Sequence, residues 1–262
     1  MRRKCRYYLR DGELYELEIN PFEGRNSIPF NAVPVLEIVR DEKGLRLKML
    51  DDSAIDFEKQ AILMFHGMWN YDEDTKIILP ESLISTISDH VDSSVKKIIK
   101  KYHSFASEDM VTAALGERLY EEFEHDDVDV NIHFQSYSSI VKEPINGADL
   151  SFIFDIKDNR GRRVIKTILI QSKKVADSNK LYKKIPRLDD QIEKMTKITD
   201  ENYVFLYSEH GIRAFKSSNR EERKSVSSLF GDVLRCKNGD RTKSVLASAW
   251  DSKYIMHMSI ED

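Results

Sequence analysis

The sequence predicts a layered α/β (α+β) protein with a mixed central β-sheet flanked by helices. Three observations carry this expectation. From about Phe105 onward, helical and strand-like segments alternate, an order that places helices on the faces of a sheet. From Cys5 to about Leu50 the chain reads as two β-hairpins. Between these regions, apolar residues after Pro80 recur at helical spacing.

Arg6-Tyr7-Tyr8-Leu9-Arg10 and Leu14-Tyr15-Glu16-Leu17-Glu18-Ile19 flank Asp11-Gly12, a dipeptide that accepts the positive φ of a tight hairpin turn. Val35 to Val39 and Leu45 to Leu50 repeat the pattern around Asp41-Glu42-Lys43-Gly44. Pro80 and Glu81 suit a first helical turn. Leu83, Ile84, Ile87, Val91, Val95, Ile98 and Ile99 then mark an inward stripe, leaving Lys96, Lys97, Lys100 and Lys101 for the outer side. Ser107 is a good N-cap ahead of Glu108 and Asp109. It predicts a helix to about Glu124, with Val111, Leu115, Leu119 and Phe123 facing inward. Ile140-Val141 reads as a short strand. Ala148 to Ile156 and Val164 to Lys173 read as strands joined by the turn Lys157-Asp158-Asn159-Arg160-Gly161. A basic loop and a helix of about Asp189 to Thr199 lead to Tyr203-Val204-Phe205-Leu206-Tyr207, a buried strand that Gly211 turns into Ile212 to Phe215. The chain is expected to comprise a hairpin-rich region with a helix, residues 1–104, of unassigned role, and a second domain, residues 105–262, whose core is 105–216.

Composition narrows the functional classes. No stretch approaches the ~18 apolar residues that span a bilayer, and no apolar segment follows the basic start, so a cytoplasmic protein is expected. Cys5 and Cys236 are the only cysteines, too few for a zinc ribbon or a disulfide framework. There is no HExxH motif, no GxSxG elbow and no glycine-rich phosphate loop. The net charge is −4, yet between Lys157 and Arg187 eleven Lys or Arg stand against two Asp. Such segregation can give an acidic protein one cationic face able to attract a polyanion.

The hairpin across Arg160 is where chemistry gathers. A turn centred there sets Asp149 opposite Gln171, and alternation along the strand sends Gln171 and Lys173 to one face and Ser172 to the other. A carboxylate, an amide oxygen and an ammonium then converge at one end of the hairpin. A register slip of one residue would undo the arrangement.

Gly147-Ala148-Asp149-Leu150 followed by Ile168-Leu169-Ile170-Gln171-Ser172-Lys173 resembles the core of the PD-(D/E)XK nuclease superfamily. The form nearest to it is the Mrr-like variant, with Gln in place of the second acid. Glu108 matches the acidic residue that many members carry on their first core helix. Gln191 sits where several members carry a polar residue, and the strand ending in Leu206-Tyr207 suits the next core strand. The resemblance implies a restriction-endonuclease-like core and a metal-dependent endonuclease, with double-stranded DNA the first expectation as substrate and a role in bacterial defence by analogy. Asp149, Gln171, Lys173 and Glu108 would be the catalytic set. Mg²⁺ or Mn²⁺ would be held by the Asp149 carboxylate, the Gln171 side-chain carbonyl, the Ser172 backbone carbonyl and Glu108, because hard cations take oxygen ligands. Lys173 would orient or help deprotonate the attacking water. Lys174, Lys180, Lys183, Lys184, Arg187 and Gln191, which follow the motif, would hold flanking phosphates. A homodimer or a protein partner for activation stays open. So do an RNA-directed nuclease and a non-catalytic nucleic-acid-binding or assembly subunit on the same fold.

Overall fold

In the computed structural model the described residues are the strands at 3–10, 13–18, 33–41 and 44–49, residue 68, and the segments 71–136, 146–180 and 185–261. The chain forms two compact units, Met1–Trp69 and Asn70–Asp262. The first contains β1 (Arg3–Arg10), β2 (Glu13–Glu18), β3 (Val33–Asp41) and β4 (Gly44–Met49), in the sheet order β2-β1-β3-β4. Both expected hairpins form. Arg10 pairs with Glu13 across Asp11-Gly12, and Asp41 pairs with Gly44 across Glu42-Lys43.

The second unit begins earlier than position 105. The helix after Pro80, α1 (Glu81–Ile99), belongs to it, because its apolar stripe is buried against the rest of that unit. Next come α2 (Glu108–Leu119), β5 (Glu121–His125), β6 (Val128–Ser136), β7 (Leu150–Lys157) and β8 (Arg163–Lys174). They are followed by α3 (Leu188–Thr196), β9 (Asn202–Ser208), β10 (Gly211–Lys216) and β11 (Asn219–Ser225). Helices α4 (Val226–Leu234) and α5 (Lys243–Ala249) lead to the last strand, β12 (Tyr254–Glu261).

The eight strands of this unit form one mixed sheet in the order β11-β10-β9-β8-β7-β12-β6-β5. β8 pairs antiparallel with β7 and parallel with β9, and β12 is parallel to β7. The expected layered α/β architecture is therefore present. On one face, Leu83, Ile84, Ile87 and Val91 of α1, Val111 and Leu115 of α2 and Phe230 of α4 close over Phe152, Phe154, Ile168, Ile170 and Phe205. Phe230 meets Phe152 and Phe154 edge-on, with centroids 4.7 and 5.2 Å apart. On the other face Leu188 of α3 packs with Val204, Leu206 and Phe215, and α5 lies against β7 and β8. Strand β8, twelve residues long and nearly all buried, is covered on both faces, which is why Ile168-Leu169-Ile170 runs apolar without alternation up to Gln171.

Helix α2 stops at Leu119, not near Glu124. Glu121 to His125 instead form an edge strand that turns through Asp126 and Asp127 into β6. Both aspartates have positive φ, 50° and 65°, the geometry of a tight two-residue hairpin that Asp tolerates. The alternation of Val128, Val130 and Ile132, all buried, signals the same strand. Ile140-Val141 lies outside the described residues.

One charged pair pins the central hairpin. Arg163 donates through Nε and Nη2 to the two carboxylate oxygens of Asp155, at 2.7 and 2.5 Å, and His257 Nε2 lies 3.5 Å from the same group. Burial alone would push the Asp155 carboxyl up, but the Arg163 fork and His257 outweigh it and hold it at about 2. Both partners sit on the strands that carry the site, so a slip of one residue would break this pair as well.

Candidate active site

Leu150 pairs with Ile170, so the register of β7 and β8 is the one that sets Asp149 opposite Gln171. Gly161, at φ 74°, closes the turn with its amide on the Asp158 carbonyl at 2.9 Å. The site lies at the far end of the two strands, where β7 and β12 begin and β8 and β9 end. Carboxyl ends of parallel strands are a common place for ligand sites in α/β proteins.

Asp149 is aimed from below. Gly147 has φ 75°, and a Cβ there would stand 2.6 Å from the Gln191 carbonyl oxygen, so only glycine lets α3 approach this turn. Asn146 is buried. Its amide nitrogen donates to Ser248 O at 2.8 Å and Ser252 Oγ at 3.1 Å, while its oxygen accepts from Ala148 N at 2.9 Å. The Asp149 carbonyl accepts from Tyr254 N on β12 at 2.9 Å.

The half-buried Asp149 carboxylate meets β8 directly. Its Oδ2 accepts the Ser172 amide at 3.1 Å, the Ser172 hydroxyl at 2.8 Å and the Gln171 side-chain nitrogen. Burial raises the Asp149 pKa. The Ser172 bonds and the nearby Lys173 charge offset part of that rise, and Glu108 adds to it. Ser172 points to the α2 face, with its hydroxyl 3.2 Å from Thr112 Oγ1, which also lies 2.9 Å from the buried Tyr207 hydroxyl. Burial raises the Tyr207 pKa, so this phenol stays protonated at neutral pH.

Gln171 is fully buried. Its nitrogen also donates to the Ser172 carbonyl at 3.1 Å, while its Oε1 has no hydrogen-bond partner. A buried unpaired amide oxygen is costly. Turning the amide over would aim Oε1 at the Asp149 carboxylate and the Ser172 carbonyl, grouping three oxygens that repel unless a cation joins them. The donor set therefore fits a hard divalent ion such as Mg²⁺ or Mn²⁺. Among the described residues no three His, Cys, Asp or Glu side chains cluster, and this set is built instead from a carboxylate, an amide and a backbone carbonyl.

Lys173 is mostly buried and lies 3.4 Å from Glu108 Oε1, while Glu108 Oε2 accepts the Lys174 amide at 3.3 Å. Ser107 caps α2 through the Met110 amide at 3.3 Å, fixing where Glu108 emerges. Asp149, Gln171, Ser172, Lys173 and Glu108 thus come together.

The residues expected to hold phosphates are placed differently from one another. Lys174 turns inward, donating to the Phe105 carbonyl with its ammonium 5.0 Å from the Tyr102 ring centre. Gln191 is 7% exposed, and its Oε1 is unpartnered. Lys180 is exposed and 3.9 Å from Asp177, and Arg187 is an exposed residue with φ 62° at the start of α3. Lys183 and Lys184 lie outside the described residues. Sequence reasoning missed Asp109, Thr112, Asn146, Tyr207, Ser252 and Lys253. Only Asp109, beside Glu108, carried a local signal, since the others reach the site through strand order and packing.

Among the described residues no helix is long and apolar enough to cross a membrane. Compared with known proteins, the chain matches no family model, no curated protein and no solved structure.

Proposed function

We propose that this chain is a metal-dependent phosphodiesterase that cuts nucleic acid, double-stranded DNA first among its substrates. The observation that carries the reading is the meeting of Asp149, the Gln171 side-chain amide, whose oxygen is left unpartnered, and the Ser172 carbonyl beside Lys173 at one sheet end. Bound Mg²⁺ or Mn²⁺ would supply Lewis acidity toward the phosphate and a more acidic water. Asp149, Gln171 and Ser172 would hold that ion, with Glu108 at its margin. Lys173, kept in place by Glu108, would orient the attacking water and meet charge developing on the phosphate oxygens. The sheet contributes rigidity, because each of these groups is anchored on a buried strand or at a helix start.

A second reading has its own observation. In the present conformation Gln171 donates to Asp149, which satisfies the carboxylate without any ion. A nucleic-acid-binding or assembly subunit that has lost metal chemistry would look the same.

The deciding experiment incubates purified protein with plasmid DNA and with RNA, in Mg²⁺, Mn²⁺ or EDTA, beside Asp149→Ala and Lys173→Ala. Metal-dependent cutting lost in both variants supports the nuclease and identifies its substrate. Cutting retained by Lys173→Ala sinks the assignment of roles, and binding without cutting under every metal favours the second reading.

A further inference from the structure

The two acids that open α2 hold two lysines, one on each side of Asp149. Glu108 faces Lys173 on β8, while Asp109 Oδ2 accepts from Lys253 Nζ at 2.7 Å. Lys253 immediately precedes β12, which neighbours β7 on the side opposite β8, and the next amide, that of Tyr254, donates to the Asp149 carbonyl. Strands stand ~4.8 Å apart, so the backbones of β8 and β12 flank Asp149 at a separation of about 10 Å. Each lysine stem can reach across that gap toward a strand lying over the sheet end. Lys253 is also placed over the Tyr254 ring, 5.3 Å from its centre.

We propose that Lys253 forms a second phosphate subsite, gripping a phosphate of the nucleic-acid strand on the flank of Asp149 opposite Lys173. The inference rests on the nuclease reading and deepens it. The Asp109 contact is a holding position. With side chains 28% and 49% exposed, this is a weak, solvent-screened pair, and a phosphate can displace the carboxylate at little cost. Asp109 raises the Lys253 pKa and Asp149 adds to that, against the lowering effect of burial, so the ammonium stays charged at neutral pH. Asp109 itself is favoured where it stands by the α2 dipole, and it occupies the Lys253 ammonium when no strand is present.

The test measures binding of a duplex oligonucleotide across a salt series, with Ca²⁺ replacing Mg²⁺, for wild type, Lys253→Gln, Lys253→Arg and Asp109→Asn, alongside cleavage kinetics in Mg²⁺. Removing one phosphate contact should reduce the slope of log K against log salt by ~0.9. Lys253→Gln should show that loss for every duplex sequence, with KM raised more than kcat is lowered, and Lys253→Arg should restore both. Asp109→Asn should bind at least as well as wild type, because it only frees the lysine. Unchanged slope and affinity in Lys253→Gln overturn the inference alone. So does an equal loss in Asp109→Asn, which would mark the pair as structural. Wild-type protein that neither binds nor cuts overturns the nuclease reading and this inference together.

Discussion

Ser172 donates both its backbone amide, at 3.1 Å, and its hydroxyl, at 2.8 Å, to a single carboxylate oxygen of Asp149. These bonds stabilise the ionised form of a carboxyl that burial pushes toward neutrality. Metal binding needs that form. Cleavage should therefore fall as pH drops through the raised Asp149 pKa. Ser172→Ala keeps the amide bond and loses the hydroxyl, so the acidic limb of its pH–rate profile should move to higher pH. A hydrogen bond to a charged group is worth ~1.5–3 kcal/mol, so stability in urea at neutral pH should fall by up to that amount. An unmoved acidic limb would mean that Asp149 does not govern the rate.

Gln171→Glu tests the ion directly. The variant places a second carboxylate beside Asp149 in a fully buried position. Without divalent metal the two like charges repel, and Tm should fall below wild type. With Mn²⁺ the added charge should tighten binding, so the variant should gain more Tm per increment of metal than wild type does. Equal metal-induced shifts would argue against Gln171 as a ligand.

The Asp155–Arg163 pair should set part of the acid stability. The Asp155 pKa is held near 2 in the folded protein against an ordinary value of 3.8. A lowered carboxylate pKa contributes stability that is complete above the unfolded value and lost as pH falls toward the folded one. The contribution is about 2 kcal/mol, lost between roughly pH 5 and 2. Asp155→Asn takes the carboxylate away from the buried Arg163 guanidinium, at a cost of ~3–5 kcal/mol at neutral pH. It should also flatten the dependence of stability on pH over the acid range, as urea melts at several pH values would show.

Gly147→Ala should damage the site without touching a reactive group. The positive φ costs ~1–3 kcal/mol for a residue with a side chain, and the new methyl would press on the Gln191 carbonyl at 2.6 Å. A lower Tm together with weaker metal binding is expected. Asn146→Ala should act similarly, by loosening the turn from Ser248 and Ser252.

The central hairpin was legible because its information is local. Asp158 to Arg162 make a turn, alternation fixes which side chains share a face, and the register that pairs Leu150 with Ile170 follows. The α2 start was legible for the same reason, since Ser107 caps it in sequence and in space. The end of α2 was not. Phe123 continues the helical stripe in the text, but Glu121 to His125 gain ladder hydrogen bonds to β6, and that pairing outweighs a weak helical preference.

The sequence by itself determined the mixed layering of helices and strands and the pairing of Asp149 with Gln171, both products of spacing along the chain. Tertiary structure alone decided the rest of the site. It placed β12 between β7 and β6, which brought Lys253 beside Asp149 across more than a hundred residues. It also turned Lys174 inward to Phe105 and buried Gln191 against Gly147, although the resemblance cast both as contacts to flanking phosphates. The physical reason is that neighbours in a sheet are set by the burial of both its faces, and no periodicity within one strand records which strand will lie beside it.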